Sequence, residues 1–133
     1  MRRALMKTDG GAMVEFALIL PFLLIIIWGI VDISRAFQAI DSLTSAVREG
    51  ARAAAVTASR PDTGATAAAI QQIVVTDFTP LGGPLIPDSV HVSWDGTQVT
   101  VSASYIFQAL TPLLWAPTIT RTAVFRWEAT TAP

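Results

Sequence analysis

Gly10-Gly11-Ala12-Met13-Val14-Glu15-Phe16 opens an apolar run that continues as Ala17-Leu18-Ile19-Leu20-Pro21-Phe22-Leu23-Leu24-Ile25-Ile26-Ile27-Trp28-Gly29-Ile30-Val31. After Glu15 no charged side chain appears until Asp32. Residues 13–31 number 19, and at about 1.5 Å per helical residue they just cross a hydrocarbon core of about 30 Å. A carboxylate inside such a run is costly, by roughly 2.5–3.5 kcal/mol at the bilayer centre and less toward an edge. Glu15 therefore calls for a partner. Ahead of the run, residues 1–10 form a short basic leader with Arg2, Arg3 and Lys7.

Three readings of the run are open. A cleaved secretory signal has a basic start and an apolar middle, but that middle is usually about 7–15 residues, shorter than this one. Asp32 and Arg35 also fall where its cleavage region belongs, although Ser34-Arg35-Ala36 is a passable small-x-small site. A plain single-span anchor is the second reading, with the basic leader holding the N-terminus in the cytoplasm. The third rests on the residues beyond Val31. Ile33, Ala36, Phe37, Ile40, Leu43, Ala46, Val47, Gly50, Ala51 and Ala54 continue at helical spacing, with polar residues between them. The spacing predicts one helix from about residue 12 to about residue 57, apolar all round below and striped above. Pro21 removes one backbone donor from it and would kink or locally open it. Gly50, at about 1 kcal/mol less favourable than Ala in a helix interior, points to close packing against a partner that the sequence leaves unnamed.

Beyond Ser59-Arg60-Pro61-Asp62-Thr63-Gly64, a turn, the pattern predicts a second helix from Ala65 to about Asp77. Asp62 or Thr63 would cap it, and Ala69, Ile70, Ile73 and Val74 would face inward. A Pro/Gly-rich loop spans 79–88. Alternation then marks strands: Val90, Val92 and Trp94, a turn at Asp95-Gly96, then Val99, Val101, Ala103 and Tyr105. Residues 107–117 read as irregular, with Pro112 and Pro117. A last strand from Ile119 to Glu128 places Ala123, Phe125 and Trp127 on one face. The fold class is α+β: a long N-terminal helix packed on a second helix and an antiparallel sheet of about three strands. The three parts are residues 1–10, 11–58 and 59–133.

The chemistry in this chain is sparse. The net charge of −1 becomes −3 without residues 1–10, with six Arg, no Lys and nine acids left. No basic stripe with interleaved aromatics remains, so nucleic-acid binding has no support. The absence of cysteine removes disulfides, thiolate catalysis and cysteine-based metal sites together. His91 alternates out of phase with Val90 and Val92 and is read as solvent-facing. Asp88 and Asp95 sit near turns without the spacing of a calcium loop. Trp94, Trp115 and Trp127 read as core or sheet-face aromatics, a residue type that also anchors interfaces. Glu49 with Arg52 is an i,i+3 pair of the kind that usually marks a solvated helix face. No nucleophile–base pair, phosphate loop, cofactor site or metal site emerges, and no enzyme is expected.

The N-terminal third resembles a known family. A basic leader ending in Gly with Glu at the fifth mature position is similar to the cleavage signal of type IV pilins and pseudopilins. Val14-Glu15-Phe16-Ala17-Leu18-Ile19-Leu20-Pro21-Phe22-Leu23-Leu24, Gly29-Ile30-Val31-Asp32-Ile33-Ser34-Arg35-Ala36 and Val47-Arg48-Glu49-Gly50-Ala51-Arg52-Ala53-Ala54-Ala55 resemble TadE-like proteins, minor pseudopilins of Tad (Flp, tight-adherence) pilus systems. The resemblance implies a pilin-like α+β fold and cleavage between Gly10 and Gly11 by a prepilin peptidase. It implies that Glu15 pairs with the new Gly11 amine, in a filament that of a neighbouring subunit. Gly11, Glu15, Phe16 and Pro21 are the residues it assigns to assembly. Its implied partners are the prepilin peptidase, other pilins and pseudopilins, the inner-membrane assembly platform and membrane lipid. Its implied location is the bacterial inner membrane, single-pass with the N-terminus cytoplasmic, or a surface pilus serving adhesion or biofilm formation. A non-assembling membrane-anchored binding domain is the alternative that the residues leave open.

Overall fold

The computed structural model describes residues 9–57, 59–79, 83–111 and 117–128. The leader up to residue 8, Trp115, Pro112 and the middle of the Pro/Gly-rich loop lie outside them. The elements are α1 (Asp9–Ala55), α2 (Gly64–Asp77), a 3-10 turn (Pro87–Ser89), β1 (Val90–Trp94), β2 (Gln98–Ile106) and β3 (Thr118–Arg126). The fold is α+β, as the hydropathy pattern predicts.

α1 is one rod of 47 residues, about 70 Å long. It begins three residues earlier than the pattern predicts and ends two earlier. The rod runs through Pro21 without a break. Over its lower part every residue from 21 to 28 is exposed among the described residues. Its upper part buries Leu43, Ala46, Val47, Gly50, Ala51 and Ala54 of the expected stripe, together with Ala39, which that stripe left out. Its lower members Ile33 and Phe37 are exposed, because the domain covers the other side of the rod there, at Asp32 and Ala39.

The sheet is an antiparallel meander in the order β1-β2-β3. Its register pairs Val90 with Ala103 and Trp94 with Val99, then Val99 with Phe125 and Tyr105 with Ile119. Side chains alternate across a strand, so Val99, Val101, Ala103 and Tyr105 all enter the core from β2. Asp95 accepts hydrogen bonds from the Thr97 and Gln98 N–H groups at 2.9 and 2.6 Å, and Gly96 turns the hairpin at a φ of 96°, a value favoured by glycine. β3 ends two residues short of the predicted Glu128 because the chain turns to the rod. The Glu128 N–H donates to the Ala55 carbonyl at 2.9 Å, satisfying one of the orphan acceptors at the end of α1. Phe125 shares the inward phase of Ala123 but stays more than a third exposed, because it lies where the rod beneath it ends.

α2 lies along α1 and reaches the sheet edge at β1, where Gln71 Nε2 donates to the Val90 carbonyl at 2.9 Å. Its buried stripe is narrower than predicted: Ile70 and Val74 are buried, whereas Ala69 and Ile73 face out. One i,i+4 row, continued by Phe78, belongs to the core that α2 shares with α1 and β1. Its N-cap is Thr63, without a side-chain cap bond. Asp62 does not cap it either, since its carboxylate is held by Arg60 at 3.2 and 3.0 Å. The partner of Gly50 is α2. A β-carbon at Gly50 would collide with Val74 Cγ2, so the missing side chain is what lets the two helices touch.

Candidate functional site

Two regions of α1 carry groups whose placement needs explanation. The first is its lower end. Gly10 and Gly11 lie within the first turn of α1, with nothing near the position a side chain would take. Glu15, Phe16 and Pro21 are exposed on the helix above them. Gly11, Glu15, Phe16 and Pro21 thus share a stretch of rod without being gathered into a pocket. Among the described residues one helix is long and apolar enough to cross a membrane, and 6% of its most apolar window is buried. A core helix of a soluble protein would bury that window. We read residues 13–31 as the membrane-spanning part.

The second region lies just past it. Asp32 is fully buried although it is charged, and its partners come from the connection between β2 and β3. The Leu110 N–H donates to Oδ1 at 2.9 Å, the Thr111 N–H to Oδ2 at 2.9 Å, and the Thr111 hydroxyl to Oδ2 at 2.7 Å. Arg35, one turn up the rod, donates to Oδ1 from Nη1 at 3.1 Å. The same guanidinium reaches the Gln108 carbonyl at 3.3 Å and lies 5.5 Å from the centre of the Phe107 ring, within cation–π range. Backbone and hydroxyl donors favour the charged carboxylate. The Leu110 N–H, then the Thr111 hydroxyl, do most to bring its carboxyl down to about 2. Asp32 is a buried acid with all its demands met from one loop and one neighbouring turn.

Sequence reasoning missed this cluster. Asp32 and Arg35 read as polar residues spaced between apolar ones, because their partners lie more than 70 positions away. A carboxylate at the mouth of an apolar run, followed three residues later by Arg, was the available signal. The other site candidates behave as ordinary structure. His91 is exposed. Trp94 and Trp127 pack edge to face at 5.0 Å, with Arg60 4.9 Å from the centre of the Trp94 ring. Glu49 and Arg52 form a two-point ion pair on the surface. Asp95 is held below the usual carboxylate range by the Gln98 and Thr97 N–H groups, and the same bonds complete its turn. Among the described residues no group of three or more His, Cys, Asp and Glu is placed to hold a metal ion.

Comparison with curated proteins and with solved structures gives no match. Residues 10–52 match the family model described as TadE-like protein. That segment covers the exposed lower rod, Asp32 and Arg35, and Gly50, and stops before α2. Over that segment the rod of this protein is similar to TadE-like proteins.

Proposed function

We propose that the protein is a minor pseudopilin of a Tad-type pilus apparatus. A prepilin peptidase removes residues 1–10, and Gly11 becomes the mature N-terminus at the cytoplasmic face. The apolar rod is first a membrane anchor and then a packing surface against other pilins and pseudopilins at the assembly platform. Glu15 pairs with a neighbour's Gly11 amine. An ion pair in low dielectric helps only when its geometry is good, and an unmatched charge is penalised, so the pair acts as a register check. Phe16 and Pro21 belong to the same packing surface. Surface adhesion or biofilm formation follows from the filament.

The observation that carries this reading is the TadE-like match at residues 10–52 on a helix whose lower half buries almost nothing within the subunit. A rod left bare over that length fits a role that covers it later. N-terminal sequencing of protein recovered from membranes is the test. A terminus at Gly11 supports the proposal. An intact Met1 favours a non-assembling anchored domain, and a terminus near Phe37 marks a cleaved signal peptide and overturns both.

A further inference from the structure

The segment that holds Asp32, residues 107–111, comes down beside the apolar span. Leu110 and Thr111 share a cleft with Ile25 and Trp28, residues of the apolar span. Trp28 lies four residues before Asp32 and Ile25 seven, about 6 and 10 Å further down the rod. Elements that rest in a bilayer interface bury their apolar side about 5–10 Å into the headgroup–acyl boundary. Leu110, beside Ile25 and Trp28, reaches below the end of the apolar span, and the residue is 56% exposed. Ile106 and Ile86, 63% and 65% exposed, lie at the same end of the domain and share a second cleft. Trp28, near the end of the span, is of the type that collects at membrane interfaces.

Irregular backbone is tolerated near lipid only when its polar groups are satisfied by protein. Among the described residues 107–111, the rod meets part of that demand. Asp32 takes the N–H groups of Leu110 and Thr111, and Arg35 takes the Gln108 carbonyl. The base of the loop is closed by the Phe107 N–H on the Pro117 carbonyl at 3.0 Å.

We propose that this end of the domain, led by Leu110, is a lipid-contact surface seated in the bilayer interface on the domain's side. Asp32 is its positioning residue. The partner is a lipid surface rather than a second protein, because the patch is continuous with the span and lies at the depth where that span leaves the hydrocarbon. The inference rests on reading residues 13–31 as a membrane anchor.

The native chain lacks cysteine, so single spin labels can be placed at Leu110→Cys, Trp28→Cys and Val124→Cys. The full chain is reconstituted in vesicles of phosphatidylethanolamine and phosphatidylglycerol. Accessibility to oxygen, which enriches in lipid, is compared with accessibility to a water-soluble nickel chelate. The label at 110 is expected between the lipid-like label at 28 and the water-like label at 124. Asp32→Asn, or the milder Thr111→Val, is expected to shift the 110 label toward the water-like reading while 28 stays put. A 110 label as nickel-accessible as 124, with 28 still in lipid, overturns the proposal and leaves the anchor intact. A 110 label shielded from both reagents also overturns it, in favour of a covering second copy. A water-like label at 28 overturns the anchor, and the proposal with it.

Discussion

One oxygen of Asp32 accepts both the backbone N–H and the hydroxyl of Thr111, 79 positions along the chain. The bonds join the rod to the connection beyond β2, and an unprotonated carboxylate is the form that accepts all of them together with that of Arg35. Replacing it by Asn puts an amide against donors that want an acceptor. Asp32→Asn is expected to lower the thermal midpoint of the detergent-solubilised protein clearly, and Thr111→Val to lower it less. The double variant is expected to lose less than the sum of the two, because both changes remove shared bonds. Additive losses would show that the two residues do not act as a unit.

The same contact sets an acid limit. The folded carboxyl of Asp32 lies near 2, below its ordinary value of 3.8. Its contribution is therefore fully present above about pH 4 and fades as pH falls toward 2. The gap in denaturation midpoint between wild type and Asp32→Asn is expected to be constant near neutrality and to close over that window. A gap that instead opened on acidification would contradict the assignment.

Gly50→Ala tests two opposed effects. Helix propensity favours Ala by about 1 kcal/mol. The new methyl, however, meets Val74 Cγ2 across the α1–α2 contact, and overpacking typically costs about 1–3 kcal/mol. Net destabilisation is expected by chemical denaturation. Adding Val74→Ala should recover part of it. For scale, Leu43→Ala in the same core, where Leu43 is fully buried, is expected to cost about 2–5 kcal/mol.

Tyr105 is buried among core residues and its hydroxyl has no hydrogen-bond partner among the described residues. Its ring packs edge to face on Phe78 at 4.9 Å. Burial of an unpaired hydroxyl costs about 1–3 kcal/mol, so Tyr105→Phe is expected to leave stability unchanged or raise it. Denaturation of the variant at a clearly lower midpoint would reveal a partner for the hydroxyl.

Glu15 is exposed on the lower rod, so Glu15→Ala is expected to spare folding and membrane insertion. If the proposed pairing with a neighbour's Gly11 amine operates, the variant inserts normally and yields few or no pili. Normal piliation would remove the pairing role.

The sequence was legible wherever a local period decides the outcome. The apolar run, its striped continuation and the two-residue alternation around Asp95-Gly96 predict α1, β1 and β2 with small errors at the ends. Gly50 signals a close approach, but its partner Val74 belongs to another element, and no local pattern names it. The inward row of α2 was over-counted at Ala69 and Ile73, because periodicity names an apolar face without saying how much of it a neighbour will cover. Asp32 was the largest omission. Its role depends on the descent of β2 to the foot of the domain, a tertiary relation that no local pattern encodes.

The rod and the domain are joined at both ends of their contact. At the lower end Asp32 and Arg35 hold the 107–111 segment; at the upper end the Ala55 and Thr57 carbonyls accept from the Glu128 N–H and Trp127 Nε1. These fastenings stand about 35 Å apart along the helix axis. A body pinned at two separated points has no swivel. A torque or axial pull on the rod is therefore expected to reach the sheet without slip, and the bearing of the sheet to follow the rotation of the helix.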